Sequence, residues 1–169
     1  MYFLTEIRSD DFGKEPHELA PNRLKLVSQC SDPTDRGSAT VFTSISKFEK
    51  ADQRAAILGL AHFVKLAQMG SSFSELVDKK TVHEAFEAFH CTVTNKKEKV
   101  WRYRHGVIRI LFYYAADRVV LLPTVLVKRT DKLSIKEIQF AQTSVVKFLE
   151  ASQSSSGLQW VKDDEDSDT

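Results

Sequence analysis

Two apolar runs of strand-like composition, separated by the four residues Ala115-Ala116-Asp117-Arg118, constrain the fold of this chain more than any other feature. They cover residues 107–114 and 119–127, and both are rich in the β-branched and aromatic side chains that favour strands. The fragment Val100-Trp101-Arg102-Tyr103-Arg104 precedes them and has the same character. Because connections of hairpin length join the three segments, the sequence predicts a three-stranded antiparallel meander.

Cationic side chains are concentrated in this same region. Residues 96–136 contain eleven Lys or Arg and three acids, a charge of +8 in a chain of net charge +1, so the remainder carries −7. A sheet can hold the strand residues Arg102, Arg104 and Arg109 at fixed distances, which suits the binding of a phosphodiester. The asymmetry predicts a basic face that binds a polyanion. The alternative is a solvated, lysine-rich sheet edge that discourages aggregation.

Regular structure is also predicted on both sides of the meander. Alternation over residues 40–48 predicts a strand, and apolar periodicity over residues 51–69, closed by Gly70, predicts a helix. A second helix is predicted over residues 82–90. After the meander, Ser134 and Glu137 have the spacing of a capping box at the start of the clearest helix. The predicted class is therefore α+β, with a small antiparallel sheet (strand, two helices, three-stranded meander, C-terminal helix) and the helices packed on one face.

Composition divides the chain into three predicted regions. Residues 1–37 form a partly irregular N-terminal extension with three prolines, compatible with a short strand near residues 2–7 and a helical turn near residues 22–28. Residues 38–151 form the main domain. Residues 152–169 are polar and then acidic, which predicts a disordered tail.

Several functional classes are disfavoured by composition. No stretch approaches the roughly 20 apolar residues that span a bilayer, and the first residues do not resemble a signal peptide, so we expect a cytoplasmic protein without membrane contact. The two cysteines, Cys30 and Cys91, have no metal-type spacing, and a glycine-rich phosphate loop is absent from the sequence.

A cluster within the predicted second helix could in principle bind a metal. His83, Glu87 and His90 would share one helix face there. Nothing downstream supplies further ligands, and the ordinary polar surface of a helix explains the pattern equally well. The sequence therefore predicts no metal and no cofactor.

The motifs of the meander and the final helix resemble those of the RelE/ParE superfamily of bacterial toxins from toxin–antitoxin pairs, and most closely its HigB-like, often phage-borne branch. That family has a basic strand, a strand with the pattern R-[VIL]-[LI]-[FY]-[YF], a strand ending in [FV]-x-K-[KR]-T, and a helix opening with E-I-x-x-A. The resemblance spans about residues 40–151 and is specific over residues 100–141. Here the motifs are Trp101-Arg102-Tyr103-Arg104-His105-Gly106, Arg109-Ile110-Leu111-Phe112-Tyr113, Val125-Leu126-Val127-Lys128-Arg129-Thr130 and Glu137-Ile138-Gln139-Phe140-Ala141.

The resemblance implies a toxin of a type II system that inhibits growth by cleaving messenger RNA on the ribosome, without a metal. A cognate antitoxin, expected to be a helix-turn-helix protein, would hold it inactive. In this reaction a 2′-hydroxyl attacks the adjacent phosphate, and cations stabilise the dianionic phosphorane. By position, Arg109 would contact the scissile phosphate, Arg129 would stabilise the transition state, and Arg102 replaces a lysine of the nucleolytic members.

The proton-transfer groups of the family are not matched. The RelE branch has a tyrosine at the start of the final helix, where Ile135 stands here, and the C-terminal histidines of HigB have no counterpart after His105. His105, Tyr103 and Tyr113, in that order, are therefore the candidate substitutes. Whether the chain is an enzyme stays open, with a metal-independent endoribonuclease favoured. The predicted catalytic residues are Arg109, Arg129, His105 and Tyr103, and the predicted RNA-binding residues are Arg102, Arg104, Lys99, Lys128 and Lys132.

Two other functions remain open at this stage. ParE-like relatives inhibit growth by binding DNA gyrase, so the chain could be a non-nucleolytic inhibitor of gyrase or another replication protein. It could also be a phage nucleic-acid-binding module without toxicity.

Overall fold

The structure is a computed structural model that describes residues 1–14, 20–130 and 132–161. Nine strands and four α-helices lie within these ranges. The strands are β1 (Tyr2–Glu6), β2 (Lys25–Cys30), β3 (Val82–Glu84), β4 (Phe89–Cys91), β5 (Lys96–Glu98), β6 (Trp101–His105), β7 (Ile108–Tyr114), β8 (Val119–Val127) and β9 (Leu158–Trp160). The helices are α1 (Thr40–Ser46), α2 (Lys50–Gln68), α3 (Phe73–Leu76) and α4 (Ile135–Ser152).

A seven-stranded mixed sheet, in the order β3-β6-β7-β8-β2-β1-β9, forms the centre of the protein. Strands β6, β7 and β8 pair antiparallel in sequence order, which confirms the predicted meander. Strand β2 then pairs parallel with β8, and β9 pairs parallel with β1. The α+β class is confirmed, whereas the prediction of a small antiparallel sheet is wrong, because the sheet has seven strands and two parallel pairings.

Helices cover both faces of this sheet, which corrects the prediction that they pack on one face. Successive side chains of a strand point to opposite faces. Ile110 and Phe112 of β7 belong to the core formed with α1, α2 and α3, whereas Leu111 of β7 belongs to the core formed with Phe148 and other residues of α4. The sheet is therefore buried on both sides, as its near-continuous apolar strands require.

Residues 22–48 contain two errors of the sequence prediction. The predicted helical turn near residues 22–28 is instead the start of β2, a central strand of the sheet. The predicted strand over residues 40–48 is instead α1. Val41 and Ile45 lie four residues apart and are both buried, so the apolar spacing fits a helix as well as a strand.

The predicted helix over residues 82–90 is also wrong. Val82–Glu84 forms β3 at the sheet edge, and Phe89–Cys91 forms β4, which pairs with β5 in a separate two-stranded sheet. Val82 is buried in the main core, opposite Tyr103. Pairing with β6 and burial of Val82 outweigh the weak helical pattern of this segment.

The two remaining helix predictions are confirmed. Helix α2 covers Lys50–Gln68, and Gly70 follows it with a φ of +80°. At the start of α4, the Ser134 hydroxyl accepts a hydrogen bond from the Glu137 backbone N–H, and Glu137 accepts one from the Ser134 backbone N–H in return, at 3.1 and 2.8 Å. This is the predicted capping box.

Segments near both ends of the described chain take part in the sheet. The predicted extension, residues 1–37, supplies β1 and β2, and the predicted tail supplies β9. The acidic part of that tail, residues 162–169, lies outside the described residues. No helix within the described part of the chain is long and apolar enough to cross a bilayer.

Candidate nucleic-acid interface

A broad groove of about 730 Å³ lies at the β3–β6 edge of the sheet. Lys79 and Lys80 contribute to it from the turn before β3, and Arg102 and Arg104 contribute from β6. We call this the basic groove. Its lining residues are Lys79, Lys80, Thr81, His83, Arg102, Arg104 and Gly106. Four cations within one open groove create a positive potential that attracts polyanions.

Strand register explains why these cations share one face. Arg102 and Arg104 are two residues apart on β6, so they point to the same side. In the β6–β7 pairing Arg104 lies directly opposite Arg109, and in the β3–β6 pairing Arg102 lies directly opposite His83. The structure therefore brings three of the predicted arginines to one face of the sheet, next to a histidine.

The three arginines differ in their exposure. Arg104 is exposed to solvent, whereas Arg102 and Arg109 are only 5% and 3% exposed. The Arg109 guanidinium donates hydrogen bonds to the backbone carbonyls of Gly106 and Ile108, at 2.7 and 3.0 Å. These bonds tie Arg109 to the β6–β7 turn, so Arg109 supports the turn behind the basic groove.

Tyr103 lies on the other face of the sheet from the arginines. Its ring stacks on Phe63 of α2 with a centroid distance of 4.6 Å, and it is 5% exposed. Burial raises the pKa of the Tyr103 hydroxyl, which favours its neutral form. In this position Tyr103 is a core residue, separated from the predicted phosphate-binding arginines by the sheet.

His105 is on the same face as Tyr103, at the end of β6. Its ring packs edge-on against His62 of α2, with centroids 5.1 Å apart, and lies over Gly59. A Cβ atom at Gly59 would meet the His105 side chain at 3.1–3.3 Å, so the glycine permits this close approach. Burial, and secondarily the neighbouring His62, lower the pKa of His105.

The other predicted basic residues are dispersed. Arg129 is exposed and its guanidinium lies 3.7 Å from the Asp52 carboxylate of α2, which is the helix on the Tyr103 face. Lys128 forms an ion pair with Glu137 of α4 at 2.5 Å, and Lys99 forms one with Glu84 at 2.9 Å. Lys132 is exposed. The structure thus does not bring Arg129, His105 or Tyr103 to the basic groove.

Sequence reasoning missed the contribution of Lys79, Lys80 and His83 because it assigned the following segment to a helix. The signal that could have located them is the turn sequence Asp78-Lys79-Lys80-Thr81. The Asp78 carboxylate accepts hydrogen bonds from the Thr81 backbone N–H and hydroxyl at 3.0 and 2.8 Å, which lowers the pKa of Asp78. This closed turn holds the two lysines at the mouth of the groove.

The metal alternative for His83, Glu87 and His90 depended on a shared helix face. In the structure His83 lies on β3, His90 lies on β4, and Glu87 lies in the connection between the two strands. Over the ranges that the structure describes, no three His, Cys, Asp or Glu side chains are close enough to hold a metal ion.

Comparison with known proteins gave no relative to set beside this site. No protein-family model matches the chain, and no curated protein matches it.

Proposed function

We propose that the protein is a growth-inhibiting toxin of the RelE/ParE kind, HigB-like in its motifs, that binds messenger RNA in the basic groove and cleaves it. The observation that carries the proposal is the grouping of Lys79, Lys80, Arg102 and Arg104 in one groove at a sheet edge. The ribosome and a cognate antitoxin are its expected partners.

The order of the elements supports this proposal. Strand β2 is followed by helices α1 and α2, and the meander β6-β7-β8 is followed by helix α4. The resemblance implies the order strand, two helices, three strands, helix, and the chain follows it with β1 before β2, with α3 and β3–β5 inserted before the meander, and with β9 after α4. The strand predicted over residues 40–48 is helix α1, so β2 takes the place of the strand that precedes the two helices, and it pairs parallel with β8.

The grouping of the cations supports RNA as the ligand. Arg104 is exposed and can bind a backbone phosphate, whereas Arg102, at 5% exposure, contributes its charge to the wall of the groove. The lysines add charge at the mouth of the groove without fixing orientation. Together they form a track for a single strand, which is the form of messenger RNA that can be read and cleaved.

Substitution of the exposed cations tests this proposal. The triple variant K79A/K80A/R104A should bind single-stranded RNA more weakly than the wild type. The slope of log K against log[salt] should become shallower by roughly two, since each lost phosphate contact accounts for about 0.7. In cells it should also relieve growth arrest. The matched control is R54A/K65A/K136A, which removes three exposed cations from α2 and α4 and should bind RNA as the wild type does. Equal binding and toxicity of the two triple variants would refute the proposal.

The second candidate function is growth inhibition without RNA cleavage, through binding to DNA gyrase or another replication protein. The observation favouring it is the separation of Arg129, His105 and Tyr103 from the basic groove. A gyrase supercoiling and cleavage assay, run beside a map of RNA ends after induction, separates the two functions. DNA breaks with intact messenger RNA would support binding to gyrase. New RNA ends without DNA damage would support RNA cleavage. Harmless expression would instead favour the non-toxic nucleic-acid-binding module.

A further inference from the structure

We infer that His83 is the proton-transfer residue of the basic groove, a role that the family resemblance assigned to no residue at this position. The inference rests on the proposed function, because it requires RNA to bind in the groove. Its basis is the juxtaposition of an imidazole of defined tautomer with the arginines of β6.

A hydrogen bond fixes the tautomer of His83. Its ring Nδ1 lies 2.6 Å from the backbone carbonyl oxygen of Glu84. A carbonyl can only accept a hydrogen bond, so Nδ1 must carry the proton. In the neutral ring Nε2 then has a free lone pair, which is the arrangement that a general base needs.

The surrounding strands hold this imidazole in place. Val82, the preceding residue, is 4% exposed and anchors β3 in the core. The carboxylate of Glu84, the following residue, forms an ion pair with Lys99 at 2.9 Å, and Glu84 lies opposite Trp101 rather than Arg102. His83 itself is partly exposed and lines the groove directly across from Arg102.

The charges around His83 suit phosphate chemistry. Arg102 and Arg104 come from β6, and Lys79 and Lys80 come from the turn before β3. A phosphate that binds these cations in the groove is brought beside the imidazole. The cations can stabilise the charge that develops on a phosphorane, while His83 handles the proton.

The proposed reaction needs no metal and no oxidant or reductant. His83 Nε2 takes the proton of a 2′-hydroxyl, whose oxygen forms a bond to the adjacent phosphorus. The bond from phosphorus to the 5′-oxygen breaks, and that oxygen takes a proton from solvent water. The products are a 2′,3′-cyclic phosphate and a 5′-hydroxyl end, and His83 returns to its neutral state by losing its proton to water.

The variant H83N gives the sharpest test. An asparagine side-chain N–H can reproduce the bond to the Glu84 carbonyl, whereas it offers no basic lone pair in place of Nε2. The matched control is H90N, which replaces an exposed histidine of β4. Circular dichroism and urea unfolding verify that both variants fold, and a second variant, H83Q, serves if H83N does not.

Wild type, H83N and H90N are compared on a single-stranded RNA and on ribosomes carrying a messenger RNA. We expect H83N to bind RNA within about twofold of the wild type and to cleave it about 10²–10⁴-fold more slowly, with H90N unchanged. A substrate with one 2′-deoxy position should be resistant there. If H83N cleaves at the wild-type rate, or if the wild type binds RNA in the groove and never cleaves it, the role of His83 is refuted while RNA binding stands. If the wild type does not bind RNA, the proposed function fails and the role of His83 fails with it.

Discussion

The Lys128 ammonium and the Glu137 carboxylate lie 2.5 Å apart, which ties the end of β8 to the first turn of α4. The same Glu137 oxygen accepts the backbone N–H of Ser134 at 2.8 Å. Both ionic side chains are about four-fifths buried, at 17% and 21% exposure. Lys128, which was predicted to bind RNA, therefore has a structural partner.

Replacing Glu137 with glutamine should destabilise the fold in a pH-dependent way. Burial alone would raise the pKa of Glu137, but hydrogen bonds from Lys128 and Ser134 outweigh it and lower the pKa. A lowered carboxyl pKa stabilises the folded state above the unfolded value of about 4.3, and this stabilisation is lost as the pH falls through the folded value. We expect E137Q to lose about 1–2 kcal/mol of unfolding free energy at pH 7 and less near pH 3, measured by urea unfolding. E150Q, exposed on the same helix, should change little at either pH.

Tyr113 and Glu98 form a buried hydrogen bond that should stabilise the attachment of β5 to the sheet. The Tyr113 hydroxyl donates to Glu98 Oε2 at 2.8 Å, and the other Glu98 oxygen accepts from Thr94 at 3.0 Å. Burial first, and then the Glu98 carboxylate, raise the pKa of Tyr113 far above its ordinary value. The variant Y113F leaves a buried carboxylate oxygen without this donor, so we expect a loss of about 1–3 kcal/mol in urea unfolding.

The double variant Y113F/E98Q tests whether this loss comes from the hydrogen bond. A neutral amide is less costly to bury without a donor than a carboxylate. The double variant should therefore be less destabilised than the sum of the two single variants, and strict additivity would contradict the assignment.

The His62–His105 pair should make the fold less stable in mild acid. Burial, and then His62, lower the pKa of His105, so the unfolded chain binds this proton more readily than the folded one. The contribution of His105 to the unfolding free energy is therefore largest above the unfolded pKa of about 6.5, and it decreases as the pH falls below that value. We expect the wild type to lose more unfolding free energy between pH 7.5 and 5.5 than H105Q. Parallel pH profiles for the two proteins would exclude this effect.

Arg109 and Arg129 should respond differently to substitution, although both were predicted to act on the scissile phosphate. R109M removes the donors to the Gly106 and Ile108 carbonyls from a site that is 3% exposed, and should cost about 1–3 kcal/mol. R129A removes an exposed pair with Asp52 and should change stability by less than about 0.5 kcal/mol. Thermal unfolding measures both. A loss of toxicity in R129A at unchanged stability would restore a functional role for Arg129.

The parts of the fold that the sequence predicted correctly are those with strong local signals. Helix α2 is long and periodic and is followed by Gly70, while Ser134 and Glu137 cap α4 through contacts three residues apart. The meander follows from contiguous apolar runs. Strand β2 was missed because its place in the sheet depends on β8, about 95 residues later in the chain.

The candidate site was predicted only in part for a similar reason. Arg102, Arg104 and Arg109 share a face because the β6–β7 turn sets the register, and their positions on the strands were visible in the sequence. Lys79, Lys80 and His83 reach the same groove only because β3 pairs with β6. The turn sequence Asp78–Thr81 marks where this segment begins, but a three-residue edge strand carries little local signal, so the turn alone does not establish the pairing with β6.

The position of β2 between β8 and β1 has a consequence for biosynthesis. The parallel partner of Lys25–Val27 is Val119–Leu121, so the sheet cannot close until the last long strand has left the exit tunnel. Loop closure over such a sequence separation is slow and entropically costly. A nascent chain interrupted before residue 119 lacks the strand that joins β2 to the meander, so premature release leaves β1 and β2 unpaired on that side.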